Sequence, residues 1–242
     1  LEAAWEGEPS QEAIVLLHEG LGSLAQWREF PAALGGATSW PVFAYSRFGY
    51  GRSDRVPLPR PLDYMQREGE LVLPRVLDAA GIERAVLVGH SDGGSIAIVA
   101  AGSGEIRVVG LALLAAHVFC EDVSVSSIEK AREAYLHEGL RARLARYHDD
   151  VDGAFWGWNR AWLDPAFREW NIESYLAGVT VPTVVVQGDE DPYGTLAQVE
   201  AIERGVRGPV KRLVLPGVAH APHREREAEI VAAVAGVVVA AM

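Results

Sequence analysis

The feature that most constrains the fold is a repeated alternation of short apolar, β-branched runs with stretches of helical periodicity. The clear runs of strand length are Ala13–His18, Pro41–Tyr45, Ala85–Gly89, Val108–Ala115, Thr183–Gln187 and Val210–Leu215, and Leu1–Trp5 is a weaker edge-strand candidate. Most are continuously apolar, which is typical of parallel strands covered by helices on both faces. The pattern predicts an α/β fold with a mostly parallel central sheet flanked by helices.

Helical segments fill the gaps between these strands. We expect helices over Leu24–Leu34, over Leu62–Ala80, from Ser91, from about Thr195, and after Pro222. Pro74 lies inside the second of these segments, and it should kink or split the helix because proline removes a backbone donor and clashes with the preceding turn.

One long stretch departs from the alternation. Between Phe119 and Ala177 no strand pattern appears, and helical spacing covers Ile128–Leu136, Leu140–Tyr147 and Val151–Trp162. A segment of this length is too long to be a simple loop. We therefore predict a helical insertion at residues 119–177, with residues 1–118 and 178–242 together forming the core.

Composition narrows the classes of function. The formal net charge of −11 over 242 residues argues against a nucleic-acid surface. The single cysteine, Cys120, excludes an intrachain disulfide and favours a reducing compartment, so we expect a cytoplasmic protein. The longest apolar run, Ile230–Met242, is shorter than the about 20 residues of a spanning helix, so no membrane partner is expected. The sequence carries no signal for a particular oligomeric state.

The segment Gly89–Gly94 carries the first chemical signal. It reads Gly-His-Ser-Asp-Gly-Gly, follows the apolar strand Ala85–Val88 and opens a helix, which is the context that a G-x-S-x-G nucleophile turn requires. Small flanking residues allow the strand and the helix to close around Ser91. The helix N-terminus behind Ser91 supplies backbone donors and a favourable dipole for developing negative charge.

A serine hydroxyl is a weak nucleophile that needs a base, and the base needs an orienting acid. Two strands farther along the chain end in suitable residues: one leads to Asp189, Glu190 and Asp191, and the next leads to His220. The carboxyl ends of strands are where α/β sheets place their sites. Asp191 is our choice of acid because Pro192 holds it extended, while Asp189 and then Glu190 remain the alternatives.

These motifs together resemble the α/β-hydrolase superfamily over nearly the whole chain. Gly89–Gly93 resembles its nucleophile elbow, Gly188–Asp191 its G-x-x-D acid turn, and His220 its terminal histidine. The stretch Tyr45–Ser53 resembles the D-x-x-G-x-G-x-S segment, with Ser46 in place of the usual Asp. The resemblance implies a Ser91–His220–Asp191 triad and identifies the predicted insertion as a cap domain.

The same resemblance suggests donors for an oxyanion. The loop from His18 to Ser23 resembles the H-G-x-x-G segment, which assigns one donor to the Gly20 N–H, with Glu19 and Leu21 as alternatives. The second donor is the N–H of Asp92, the residue after the nucleophile. The carboxylates of Asp92 and Glu19 either form local hydrogen bonds or recognise a cationic substrate group.

A pocket near these residues should bind a small-molecule substrate. The candidate lining residues are Glu19, Leu21, His117, Phe119, Trp156 and Trp158. The aromatic residues among them fit either an apolar acyl pocket or the core of the insertion. His220 and His223 have the spacing of a metal pair but lack an organised third ligand, so we expect no metal and no cofactor.

We therefore predict a serine hydrolase that cleaves a small or medium-sized ester through an acyl-enzyme. Carbon–carbon bond hydrolysis or cofactor-free peroxidation on the same triad is one alternative, and a non-catalytic small-molecule binder of this fold is another. A nucleotide-binding reading of Gly20, Gly22 and Ala25 lacks the acidic residue expected about 20 positions later. Dehalogenase and epoxide-hydrolase activities in this fold resemble a different arrangement, in which the nucleophile is an Asp. The serine at position 91 argues against both activities.

Overall fold

The structure, a computed structural model, describes residues 1–242, and its centre is a seven-stranded sheet. The strands are β1 (Ala3–Glu6), β2 (Glu12–Leu17), β3 (Val42–Tyr45), β4 (Arg84–His90), β5 (Val108–Leu114), β6 (Thr183–Gly188) and β7 (Val210–Leu215). They lie in the order β1-β3-β2-β4-β5-β6-β7, and only β1 runs antiparallel to its neighbour. The prediction of a mostly parallel α/β sheet is confirmed, and the weak candidate at the N-terminus is the antiparallel edge strand.

Helices flank the sheet. They are α1 (Phe30–Thr38), α2 (Tyr64–Arg67), α3 (Leu73–Ala80), α4 (Asp92–Gly102), α5 (Asp122–His137), α6 (Leu140–Leu144), α7 (Val151–Trp162), α8 (Glu173–Leu176), α9 (Leu196–Gly205), α10 (Pro222–Glu225) and α11 (Glu227–Ala241). Helix α4 is buried along almost its whole length against β4 and β5, so the residue at its N-terminus is held firmly.

The two faces of the sheet support separate cores because successive strand residues point to opposite sides. In β2, Ile14 and Leu16 pack in a cluster of 21 buried residues with α1 and α11. Val15 and Leu17 pack in the other cluster, of 42 buried residues, with α4 and the helices between β5 and β6. This burial on both sides explains why the strand sequences are continuously apolar.

Two helix predictions need correction. The segment predicted as one helix over Leu24–Leu34 is a short 3-10 turn, Leu24–Trp27, followed by α1, because Arg28 has φ 53° and interrupts regular helix between them. The segment predicted over Leu62–Ala80 is helical from Tyr64, but its irregularity is a wide π-helical turn at Glu68–Val72. Pro74 comes after this turn, at the start of α3, where its missing N–H costs little.

Between β5 and β6 the chain forms α5, α6, α7, a short 3-10 turn at Pro165–Glu169, and α8. Helical structure in this stretch agrees with the periodicity of the sequence, while its separation from the core as a cap stays a prediction. No helix in the chain combines the length and the apolar character needed to cross a lipid bilayer.

Candidate active site

Ser91 lies on a sharp turn between β4 and α4. Its backbone has φ 53° and ψ −118°, a region that residues with a side chain rarely adopt. Two glycines make this turn sterically feasible. A Cβ on Gly93 would lie 1.9 Å from the carbonyl oxygen of Leu17, and one on Gly89 would lie 2.3 Å from that of Gly93. The turn lifts Ser91 out of the sheet at the carboxyl end of β4, as the G-x-S-x-G pattern predicts.

The loops after β6 and β7 bring Asp191 and His220 together. His220 Nδ1 lies 2.9 and 2.8 Å from the two carboxylate oxygens of Asp191. The Tyr193 N–H (2.8 Å) and the Gln187 side-chain amide (2.7 Å) also donate to this carboxylate. Burial alone would raise the pKa of Asp191, but the hydrogen bond and charge of His220 outweigh it and hold that pKa below its usual value. The carboxylate is therefore ionised beside the imidazole.

The two alternative acids lie elsewhere. Asp189 is exposed and accepts a hydrogen bond from the Gly217 N–H at 2.7 Å, which is ordinary turn chemistry. Glu190 is exposed as well. Of the three neighbouring carboxylates, the structure pairs only Asp191 with His220.

Ser91 and His220 face the same cavity, which has a volume of about 140 Å³. No hydrogen bond joins the Ser91 hydroxyl to the imidazole, and such contacts often tighten only once a substrate is bound. The main chain of His220 is fixed by His90, whose Nε2 lies 2.6 Å from the His220 carbonyl oxygen.

Four of the six predicted pocket residues line this cavity. They are Glu19, Leu21, His117 and Trp158, together with Gly20 and Asp92. Phe119 and Trp156 lie outside the lining: Phe119 forms an isolated bridge with Asn171, and Trp156 packs against Tyr135 and Phe155. The lining also contains residues that the sequence did not single out, namely Ser124, Ile128, Trp162 and Tyr193.

Helical geometry accounts for the difference among the tryptophans. Trp158 and Trp162 are four residues apart in α7 and share the face that points to the cavity, whereas Trp156 is two residues from Trp158 and points away. The spacing in the sequence could have paired Trp158 with Trp162, but nothing in it indicated which face met the cavity.

The two predicted amide donors are free to bind an anion. Neither the Gly20 N–H nor the Asp92 N–H donates a hydrogen bond within the chain, and both residues line the cavity beside Ser91. The Leu21 N–H is also free, so the alternative donor at that position remains open. Asp92 begins α4, where the helix dipole adds to the attraction for negative charge.

Both acidic side chains near the cavity have partners inside the protein. The Tyr64 hydroxyl donates to the Asp92 carboxylate, and the Arg47 guanidinium lies 3.9 Å from it. Glu19 lies 3.4 Å from His90 Nδ1 and 3.6 Å from Arg224. Burial would raise the pKa of Glu19, but His90 and Arg224 hold it well below the usual value. These contacts agree with the interpretation of local hydrogen bonding.

Ser46 stands where the resembled segment usually has an aspartate, and Glu2 supplies a carboxylate beside it. The Ser46 hydroxyl accepts a hydrogen bond from the Leu24 N–H at 2.9 Å and donates to the Glu2 carboxylate at 2.6 Å. The same Glu2 oxygen accepts the Arg52 N–H at 3.0 Å. A carboxylate from the N-terminal strand region thus supports the loops where Ser46 replaces an aspartate.

No cluster of three or more His, Cys, Asp or Glu side chains in the chain is arranged to hold a metal ion. A larger apolar groove of about 540 Å³ lies beside β1, β3 and α3, and Trp5, Phe43 and Val76 contribute to it. Ser91, Asp191 and His220 are all absent from the lining of this groove, whereas Ser91 and His220 both line the smaller cavity.

The fold and the arrangement around Ser91 agree with the outcome of a family comparison. Residues 14–234 match the model of the alpha/beta hydrolase family. The chain belongs to this family.

Solved structures that resemble the hydrolase over nearly its whole length include the proline iminopeptidase of Mycobacterium smegmatis and the enol-lactonase of Burkholderia xenovorans LB400. The first has a TM-score of 0.76 at 20% identity and covers 99% of this chain and 94% of its own. The second has a TM-score of 0.75 at 21% identity and covers 98% of this chain and 96% of its own. At these identities the likeness shows the fold alone.

Relatives found by sequence carry several activities in their names. A protein from Variovorax paradoxus (strain S110), provisionally named carbamate hydrolase RutD, is 29% identical over 76% of this chain and 76% of its own length. A non-heme haloperoxidase from Rhodococcus erythropolis is 25% identical over 74% of this chain and 75% of its own length. Matches to the RutD proteins of Caulobacter segnis and Azorhizobium caulinodans cover 32% and 36% of those proteins, so the chain matches about a third of their length. The names of these relatives include carbamate hydrolases and a haloperoxidase, so the comparisons establish the family of this chain without establishing the bond on which it acts.

Proposed function

We propose that this hydrolase cleaves a small or medium-sized ester through an acyl-enzyme, with Ser91 as nucleophile, His220 as base and Asp191 as orienting acid. The observation that carries the proposal is that His220, hydrogen-bonded to Asp191 through Nδ1, lines the same 140 Å³ cavity as Ser91 on its strained turn. Because Asp191 engages Nδ1, the proton of neutral His220 resides there, and Nε2 is left to accept the proton of the serine.

The first half of the reaction forms the acyl-enzyme. His220 Nε2 takes the Ser91 proton while Oγ forms a bond to the substrate carbonyl carbon, and the carbonyl π electrons move onto oxygen. The N–H groups of Gly20 and Asp92 bind this oxyanion. When the carbonyl reforms, the alkoxide leaving group departs with the proton from His220.

The second half releases the acid. Water gives a proton to His220 as its oxygen attacks the acyl carbon, and the same donors bind the second oxyanion. Collapse breaks the bond to Ser91, whose oxygen recovers the proton, and the carboxylic acid leaves. Asp191 remains ionised throughout and stabilises the imidazolium at each stage.

The size of the cavity supports a short acyl group. Trp158 and Trp162 close it on the side of α7, and Ile128 of α5 completes that wall. We propose that residues 119–177 act as a cap whose helices restrict the reach of the site. A carbamate or another carbonyl compound could also enter such a cavity, and the similarity to proteins provisionally named carbamate hydrolases favours it as a second candidate.

Ester hydrolysis by wild type and Ser91→Ala tests the proposal. We expect turnover of nitrophenyl esters with acyl chains of two to about six carbons, and a loss of at least about 10³-fold in kcat for Ser91→Ala. Ser103→Ala is the matched control because it removes a hydroxyl at the other end of the same helix, where it bonds only the Ala100 carbonyl. This control should retain wild-type kcat.

Three other outcomes would change the assignment. Equal loss in both serine variants would indicate damage to α4 and would remove the evidence for the nucleophile. Turnover of carbamates but not esters by the wild type would select the second candidate. No turnover of either class would reject the ester proposal and favour carbon–carbon bond hydrolysis, peroxidation or binding without catalysis.

A further inference from the structure

Arg47 contacts the groups that adjoin the two candidate oxyanion donors. Its side chain is 1% exposed, and Nη2 donates to the carbonyl oxygen of Glu19 at 2.9 Å. That carbonyl belongs to the same peptide group as the Gly20 N–H. The same Nη2 atom lies 3.9 Å from the carboxylate of Asp92, the residue that provides the other N–H. One buried cation therefore contacts both halves of the proposed anion site.

His18 reinforces the contact to Glu19. Burial, followed by the charge of Arg47, lowers the pKa of His18 well below its usual value, so the imidazole is neutral and carries one proton. Its Nε2 accepts a hydrogen bond from the backbone N–H of Arg47 at 3.0 Å. The proton is thus on Nδ1, which donates to the Glu19 carbonyl at 2.7 Å. The carbonyl accepts two hydrogen bonds, one of them from a charged donor.

Two hydrogen bonds to the oxygen of a peptide group have consequences at its nitrogen. They fix the plane of the Glu19–Gly20 peptide, and they draw electron density toward oxygen, which makes the Gly20 N–H a stronger donor. At Asp92, the Tyr64 hydroxyl donates to the same carboxylate oxygen that Arg47 approaches, so the first residue of α4 is also fixed. An oxyanion site is effective when its donors are oriented before the charge develops.

We propose that Arg47 is a positioning residue that orients and polarises the oxyanion donors, acting on Gly20 through the Glu19 carbonyl and on Asp92 through its carboxylate. The inference rests on the proposed function, since it requires that Ser91 attack a carbonyl carbon. Arg47 itself does not line the cavity and has no hydrogen bond to Ser91.

Arg60 provides a matched control. It is also buried, and its side chain donates to the carbonyl of Phe48. Both arginines lie over the Tyr50 ring, with the guanidinium carbon of Arg60 at 4.5 Å from the ring centre and that of Arg47 at 5.0 Å. Arg60 has no contact with Glu19 or Asp92. Replacing either arginine removes one buried charge from the same cluster, but only one replacement reaches the donors.

The test compares Arg47→Met, Arg47→Lys and Arg60→Met with wild type in kcat, KM and affinity for an alkyl trifluoromethyl ketone. Addition of Ser91 Oγ to the ketone carbon places the π electrons on oxygen and the serine proton on His220, which reproduces the charge of the transition state. We expect Arg47→Met to lower kcat by about tenfold or more, since loss of one donor outright costs about 10²–10³-fold. KM should change less than threefold, and ketone affinity should fall by the same factor as kcat/KM.

Arg47→Lys should recover most of both losses, because a single ammonium can replace the Nη2 contact. Folded Arg60→Met should match wild type in kcat and ketone affinity. A folded Arg47→Met with kcat within twofold of wild type overturns the inference, and so does a loss of kcat with unchanged ketone affinity. If methionine prevents folding, Arg47→Gln, which is polar but too short for the Glu19 carbonyl, is measured instead under the same criteria.

Failure of this inference is distinguishable from failure of the proposed function. Ketone addition requires only Ser91 and the anion site, and ¹⁹F NMR detects it in an enzyme that hydrolyses none of the esters. A wild type that binds the ketone without ester turnover rejects the ester assignment while the Arg47 comparison is still decided. A wild type that shows neither property overturns both proposals.

Discussion

Ser91 occupies a backbone conformation that costs free energy, and Gly89 and Gly93 avoid a further steric cost where the strand and the helix approach each other. At Gly93 the space is set by backbone: its missing Cβ would overlap the Leu17 carbonyl of β2, which cannot move without disturbing the sheet. At Gly89 the obstruction is the first turn of α4. The G-x-S-x-G motif therefore requires glycines because two backbone segments approach closely. This requirement makes the motif recognisable in the sequence.

Gly93→Ala should destabilise the protein by about 3 kcal/mol, because an added methyl must displace well-packed backbone. Gly36→Ala is the control: this residue is exposed in α1, and a Cβ there meets nothing within 4 Å. It should gain about 0.5–1 kcal/mol from its better helix propensity. Urea denaturation of both variants measures the difference. Equal stabilities would show that the β2–β4 region adjusts freely and that the steric account of the motif is wrong.

At the scale of elements, α7 sets one wall of the cavity through Trp158 and Trp162. Trp158 lies against the loop from His18 to Ser23, where its indole nitrogen would be 2.2 Å from a Cβ on Gly20. Trp156, on the other face, stacks edge-on against Tyr135 and lies under the Arg160 guanidinium. One face of the helix thus borders the cavity, while the other packs against Tyr135 of α5.

Trp158→Leu should shift the ester preference toward longer acyl chains. The smaller side chain opens the wall, and we expect kcat/KM for a hexanoate relative to an acetate to rise about tenfold, a typical effect of one or two methylenes in a pocket. Trp156→Leu should leave this ratio unchanged while lowering stability. The measurement is a kcat/KM series over nitrophenyl esters. A shift of the ratio in Trp156→Leu alone would contradict the assignment of the helix faces.

The elements differ in how far the sequence determines them. Strands buried on both faces are continuously apolar, so β2 to β6 were predictable within a few residues. The break at Arg28 was not, because a positive φ at an ordinary residue depends on tertiary packing. The site shows the same division. Ser91, Asp191 and His220 follow strand ends in a recognisable order, whereas Arg47 contacts Glu19 across 28 positions of the chain and carries no local pattern.

At the scale of the whole molecule, the protein encloses several histidines that stay neutral when folded. Burial is the largest cause in each case, and it lowers the pKa of His18, His117, His148 and His223, that of His223 to about 2. His223 is enclosed by the rings of Trp27, Phe30 and His90. In the unfolded chain these imidazoles take up protons near pH 6.5, so acid binds preferentially to the unfolded state.

The contribution of these neutral histidines to the free energy of unfolding should therefore be complete above pH about 6.5. It should fall as the pH drops from there toward the lower pKa values of the folded state. Each such histidine contributes a slope of up to about 1.4 kcal/mol per pH unit. Urea denaturation between pH 7.5 and 5 measures this slope. His223→Phe should reduce it by the contribution of one proton, since phenylalanine fits the aromatic surroundings and does not titrate. Phe30→Leu, a change in the same cluster, should lower stability equally at every pH and leave the slope intact. An identical slope in wild type and His223→Phe would show that the folded state accommodates the protonated His223 and that this imidazole does not drive acid unfolding.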